Sequence, residues 1–103
     1  MKTLVIAEAG STWRIGKPLG QPLFAAQSIE AAKAAGAQVW KCQWTSGPRQ
    51  MERRRKVPEG TYDILHWPVQ WLERFKKSCD QSGIEFLCTV FLEQDVGVEP
   101  RDV

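Results

Sequence analysis

The sequence predicts an α/β protein built on a parallel sheet. Three observations predict it. Strand-like apolar runs alternate with helical segments in the order strand, helix, Gly, strand, helix, Gly, strand. No tight hairpin signal separates any two strands, so each pair needs a crossover, as in βαβ units. Both strand-to-helix loops are long and both helix-to-strand turns are short. In α/β folds that asymmetry marks sites formed beyond the carboxyl ends of the strands.

The first strand is the apolar run Leu4 to Ala7, compact enough for a buried strand. Glu8 follows it at once, then Ala9-Gly10. A charge at the end of a buried strand is costly unless it is paired or used. Gly10 to Pro22 is rich in Gly and Pro and reads as a loop. Pro22 suits the first turn of a helix. Leu23, Ala26, Ile29 and Lys33 then recur at helical spacing, and Gly36 is placed to cap the helix in a left-handed conformation. "AQVWKCQW", residues 37–44, is the second strand.

The segment "TSGPRQMERRRKVPEGTYDILHW" reads as a long loop, with turn signals at Ser46-Gly47-Pro48 and Pro58-Glu59-Gly60. The second helix is expected to open at Pro68. Trp71, Leu72, Phe75 and Cys79 give it one apolar face. Lys76 and Lys77 sit toward its carboxyl half, where the helix dipole favours cations. Gly83 repeats the role of Gly36, and "IEFLCTVF", residues 84–91, is the third strand.

Composition narrows the functional classes. The chain has 103 residues, 43% hydrophobic and 25% charged, with a formal net charge of +2. That length holds one domain, and that balance does not call for nucleic acid or an anionic membrane. No apolar run approaches the ~18 residues of a membrane helix, and no signal peptide is read. Cys42, Cys79 and Cys88 form no CxxC pair, and an odd count argues against a disulfide framework. They read as buried thiols of a reducing cytoplasm. His66, the lone histidine, lacks a ligand-spaced partner and reads as a loop residue.

Side chains alternate across a strand. Leu4, Ile6 and Glu8 therefore share a face, as do Val39, Lys41 and Gln43, and Leu87 and Thr89. Trp40, Cys42, Trp44, Phe86 and Cys88 take the other face, which suits a covering of helices. Glu8, Lys41, Gln43 and Thr89 would then converge as a polar pocket. Two readings stay open on pattern alone: a functional site, or a structural Glu8–Lys41 ion pair with Thr89 as an ordinary β-branched strand residue. A lysine embedded in a strand is rarely buried without a partner.

"VIAEAG", "AAKAAGAQVWKCQ" and "GIEFLCTVF" together resemble the amino-terminal part of the sialic acid synthase family, in the family's order and at about its spacing. The resemblance implies a (β/α)8 TIM barrel that condenses phosphoenolpyruvate with N-acetylmannosamine or a related amino sugar. It implies a divalent metal, manganese or magnesium, polarising the sugar aldehyde, with ligands on later strands that this chain lacks. Carried over by motif, Glu8 is the catalytic glutamate that manages proton movement. Lys41 and Thr89 bind phosphoenolpyruvate, and Gln43 contacts the sugar. Thr12-Trp13 stand where the family has Asn-His, which points to an indole beside Glu8 stacking on a different acceptor. Thr89-Val90-Phe91 replaces the family's Thr-Pro-Phe.

A complete barrel needs about 250 residues, and the chain reaches "GVEPRDV" where a third helix should start. Residues 1–103 therefore read as the first three parallel strands and two crossover helices of such a barrel, a truncated cytoplasmic piece inactive alone. Two non-catalytic readings compete. One is nucleic-acid binding through the Arg49–Lys56 run, which Glu52 and Glu59 dilute and in which no tryptophan is interleaved. The other is an interaction module. An open wedge leaves Leu4, Ile6, Val39 and Leu87 wet and its edge strands raw, so self-association or a complementary barrel fragment is expected.

Overall fold

The structure, a computed structural model, describes residues 3–14 and 22–97. Three parallel strands form one sheet in the order β1 (Ile6–Gly10), β2 (Val39–Trp44), β3 (Glu85–Val90). Helix α1 (Pro22–Ala34) joins β1 to β2, and α3 (Trp71–Ser82) leads into β3. A further helix, α2 (Pro48–Arg55), lies inside the segment read as a continuous loop. Its signal was present: Gly47 is the N-cap and Pro48 sits in the first turn, where a proline's missing N–H costs nothing.

The helix-to-strand turns are built alike. The Ala37 N–H bonds Ala32 O and the Ile84 N–H bonds Cys79 O, both at 3.0 Å. These are the long closing bonds of Schellman caps. Gly83, at φ 72°, occupies the left-handed position that lets α3 stop there. Ala37 and Ile84 follow as buried apolar residues that seal each cap.

Among the described residues, the helices cover one face of the sheet. Trp40, Cys42 and Trp44 of β2 are buried there, with Ala25, Ile29 and Ala32 of α1 and Leu72, Phe75 and Cys79 of α3. Alanine on α1 keeps the helix close to the bulky strand residues beneath it. Trp40 Nε1 donates to Ser28 Oγ on α1 at 2.9 Å, and Trp44 Nε1 donates to Trp67 O at 2.8 Å. A smaller cluster of Met51, Leu65 and Leu92 seats α2.

Several expectations are corrected. The buried stripe of α1 is Ala25, Ile29 and Ala32, while Leu23 is 63% exposed. The second crossover helix starts at Trp71, because Pro68 to Gln70 form a tighter turn, with Trp71 N bonding Pro68 O at 3.0 Å. The first strand starts at Ile6, so Glu8 lies inside it rather than beyond it. Val39 is buried, not wet, since it sits in the central strand between Ile6 and Glu85. The rest of the Gly10–Pro22 loop and the carboxyl end fall on residues 15–21 and 98–103, outside the described residues.

Candidate functional site

The uncovered face of the sheet carries the polar residues. Register places Ile6, Val39 and Glu85 in one row and Glu8, Lys41 and Leu87 in the next. Gln43 and Thr89 pair one layer further toward the carboxyl ends. The side chains of this face therefore stack in layers up the strands, as alternation requires.

Glu8 and Lys41 stand side by side, with Lys41 Nζ 3.7 Å from Glu8 Oε2, and their side chains are 47% and 36% exposed. An ion pair this open is worth roughly 0.2–1 kcal/mol. It orients both charges without consuming them, and an incoming anion could take over Lys41 at small cost.

Gly10 completes the site, and sequence reasoning missed its part. A β-bulge interrupts β1 between Glu8 and Gly10, and Gly10 adopts φ +54°. A Cβ there would lie 3.2 Å from Gln43 Oε1 and 3.9 Å from Glu8 Oε1. The Gln43 amide and the Glu8 carboxylate thus both lie close to the bare backbone of Gly10, at a φ that favours glycine. The available signal was a glycine directly after a strand-borne charge.

Trp13 is not at this site. It is 3% exposed on the helix side and meets Trp67, Trp71 and Phe75 edge-on at centroid distances of 5.7, 6.2 and 5.2 Å. The expected indole beside Glu8 is overturned: beyond the bulge a 3-10 turn (Thr12–Arg14) carries the side chain to the core. Arg14 anchors that turn by donating from Nη1 to Ile64 O at 2.9 Å and His66 O at 3.1 Å. Burial lowers its pKa from the ordinary value. His66 is a loop residue, its Nδ1 2.9 Å from Thr45 O.

The turn after β2 is fixed by residues without sequence prominence. Asp95 is buried, and its Oδ2 accepts from Ser46 N at 3.0 Å, while Thr45 Oγ1 accepts from Gly47 N at 3.2 Å. Nothing in the polar run around Asp95 marked it as buried. In the basic run, Arg49 is held by Glu52, Glu59 and Asp63. Arg55 lies 5.6 Å from the ring centroids of both Tyr62 and Phe91. Arg53 and Arg54 are exposed. An open cleft of about 480 Å³ lies at the opposite end of the sheet, but Lys33 there donates to Gly83 O at 3.1 Å and its walls are the helix caps.

Among the described residues, no group of three or more His, Cys, Asp or Glu could hold a metal ion. The carboxylate of the site, Glu8, already faces a cation. The divalent metal that the resemblance implies would draw its ligands from later barrel strands. Among the described residues no helix is long and apolar enough to cross a membrane.

The chain is similar in structure to an N-acetylneuraminic acid (sialic acid) synthetase from Leptospira borgpetersenii serovar Hardjo-bovis, solved in complex with citrate. The TM-score is 0.66 at 22% identity, over 96% of this chain and 35% of that one. The chain has the fold of part of a TIM barrel. It spans about a third of the length of that synthetase. No family model matches the chain, and no curated protein matches it. The resemblance carried by three short motifs is thus met by a likeness in fold.

Proposed function

We propose that the open face of the sheet is part of a sialic-acid-synthase-like site that takes phosphoenolpyruvate and an amino sugar. The observation that carries this reading is Glu8 beside Lys41, exposed on the uncovered face of parallel strands. Lys41 would neutralise the carboxylate or phosphate of phosphoenolpyruvate as a compact cation. Thr89, a layer above, would donate its hydroxyl to the same anion. Gln43, held over Gly10, would present its amide to the sugar. Glu8 would move a proton at the reacting centre, a role typically worth 10²–10⁴-fold in rate.

Condensation needs barrel strands beyond these three, whether in a longer protein or supplied by a complementary chain. Unpaired thiols at Cys42, Cys79 and Cys88 suit a cytoplasmic setting.

Binding tests the reading without requiring turnover. Titration of the isotopically labelled chain with phosphoenolpyruvate should shift the backbone amides of Glu8, Lys41, Gln43 and Thr89. Lys41→Met should weaken binding at least about tenfold, since it removes the one cation of the cluster. Glu8→Gln should leave it intact or tighten it, because Lys41 is released. Shifts confined to Arg53 and Arg54, or equal affinity for Lys41→Met, would overturn the proposal.

A further inference from the structure

Cys42 and Cys88 are direct register partners on neighbouring parallel strands. Both belong to the helix-covered face, behind the row that carries Lys41, Gln43 and Thr89. Neighbouring strands lie about 4.8 Å apart, inside the roughly 4.4–6.8 Å Cα separation that a disulfide spans. Both thiols are free, and the Cys88 thiol donates to Thr89 O at 3.8 Å. Their access differs. Cys42 is fully buried in the central strand, whereas Cys88 is partly exposed on β3, which pairs only with β2 among the described residues. Cys79, the third thiol, lies buried on α3 and has no such partner in the sheet.

We infer that Cys42 and Cys88 form a reversible cross-strand dithiol–disulfide couple, oxidised by a hydroperoxide. The more accessible sulfur reacts first: the Cys88 thiolate attacks a peroxide oxygen, the O–O bond breaks, and one water leaves. The resulting sulfenic acid is then attacked by Cys42. The S–S bond forms, the C–S–OH bond to oxygen breaks, and the hydroxyl leaves as a second water with the Cys42 proton. Two thiols lose two electrons, and one hydrogen peroxide becomes two waters. A dithiol reductant reverses the bond by exchange.

The geometry sets the order of events. The neighbouring Cys88 thiol, and then burial, push the Cys42 thiol well above the ordinary thiol range. Cys42, the more deeply buried of the two, serves as the resolving group. Among the described residues β3 pairs only with β2, so it can absorb the small approach that bond formation asks of it. Cys42 lies between Lys41 and Gln43, and Cys88 directly precedes Thr89. The bond would tie β2 to β3 at that layer, yet its formation does not depend on what the open face binds.

Intact mass after hydrogen peroxide treatment of the full chain, followed by maleimide labelling in denaturant, tests the inference. The expected result is a monomer lighter by about 2 Da, with labels falling from three to one of the three cysteines. The bond is then mapped with cleavage at Asp80 as well as trypsin, because tryptic peptide 78–101 holds both Cys79 and Cys88. Cys79→Ala should still lose about 2 Da, and Cys88→Ser, on the accessible edge, should lose none. Three labels retained, a bond mapped to Cys79, a disulfide between two chains, or stepwise oxygen addition at Cys88 would each overturn it.

Discussion

Replacing Trp13 separates a core role from a ligand-facing one. A buried tryptophan removes roughly 150–250 Å² from water, which at about 25 cal/mol per Å² is roughly 4–6 kcal/mol. Trp13 adds three edge-on contacts, to Trp67, Trp71 and Phe75. Against this, its Nε1 is buried with no hydrogen-bond partner among the described residues, a cost of about 1–3 kcal/mol. Trp13→Ala should therefore destabilise the fold by about 3–5 kcal/mol, a large share of the roughly 5–15 kcal/mol that holds a domain together. Trp13→Phe keeps the edge contacts and sheds the unpaired N–H, so it should cost about 1 kcal/mol or less. Urea unfolding followed by far-UV circular dichroism measures both, because four other tryptophans confuse fluorescence. Phosphoenolpyruvate affinity of the Phe variant should match the parent. A loss below about 1 kcal/mol for Trp13→Ala, or weakened binding by Trp13→Phe at unchanged stability, would refute the core assignment.

Burial first, and then the charge of Asp80, push the Cys79 thiol up to about 11 from 9.0. The unfolded chain ionises first, so its stabilising contribution is whole below pH 9 and is lost as pH rises to about 11. Urea midpoints in reductant at rising pH should show this, and Cys79→Ala should lessen the slope by up to about 1.4 kcal/mol per pH unit. An unchanged slope would count against it; Cys42, shifted the same way, leaves some slope in the variant. The open face also bears Leu4, Ile6 and Leu87 at 61%, 45% and 46% exposure. Sedimentation should show assembly that grows with concentration, and Leu87→Lys should reduce it; a compact monomer throughout would contradict this. Gly10→Ala forces a side chain into a left-handed conformation at about 1–2 kcal/mol and against Gln43 Oε1, so both melting temperature and phosphoenolpyruvate affinity should fall. Retention of both would dismiss the bare-backbone requirement at Gly10.

How far the sequence carried depended on whether a feature left a periodic trace. The alternation in β2 is such a trace: Trp40, Cys42 and Trp44 against Lys41 and Gln43 assigned both faces, and the structure keeps them apart. Gly36 and Gly83 marked both helix ends because a left-handed cap selects glycine. Helix α2 left no such trace. Its buried residues are Met51 and Glu52 only, so no apolar stripe formed, and the turn residues at each end read as loop punctuation. Glu52 is instead held by hydrogen bonds from Gly60 N at 3.1 Å and Tyr62 N at 2.9 Å, contacts that no linear pattern encodes. Trp13 was misplaced because nearness in sequence to Glu8 says nothing about which way a bulge and a 3-10 turn rotate the chain.

The core and the candidate site are set by a single variable, the register of β2. Slipping β2 by one residue would turn Trp40 and Trp44 to the open face and press Lys41 and Gln43 among Ile29, Phe75 and Cys79. Each polar group buried there without a partner would cost several kcal/mol, and the aromatic burial would be lost as well. The packing that rejects this slip is far larger than the roughly 0.2–1 kcal/mol of the Glu8–Lys41 pair. The pair therefore need not hold itself together: helix-side tryptophans fix Lys41 opposite Glu8, and the two charges remain exposed on the other face. That division explains how a strand tolerates a carboxylate at its centre. Glu8 is balanced well enough by Lys41 for the chain to fold, and both charges stay exposed.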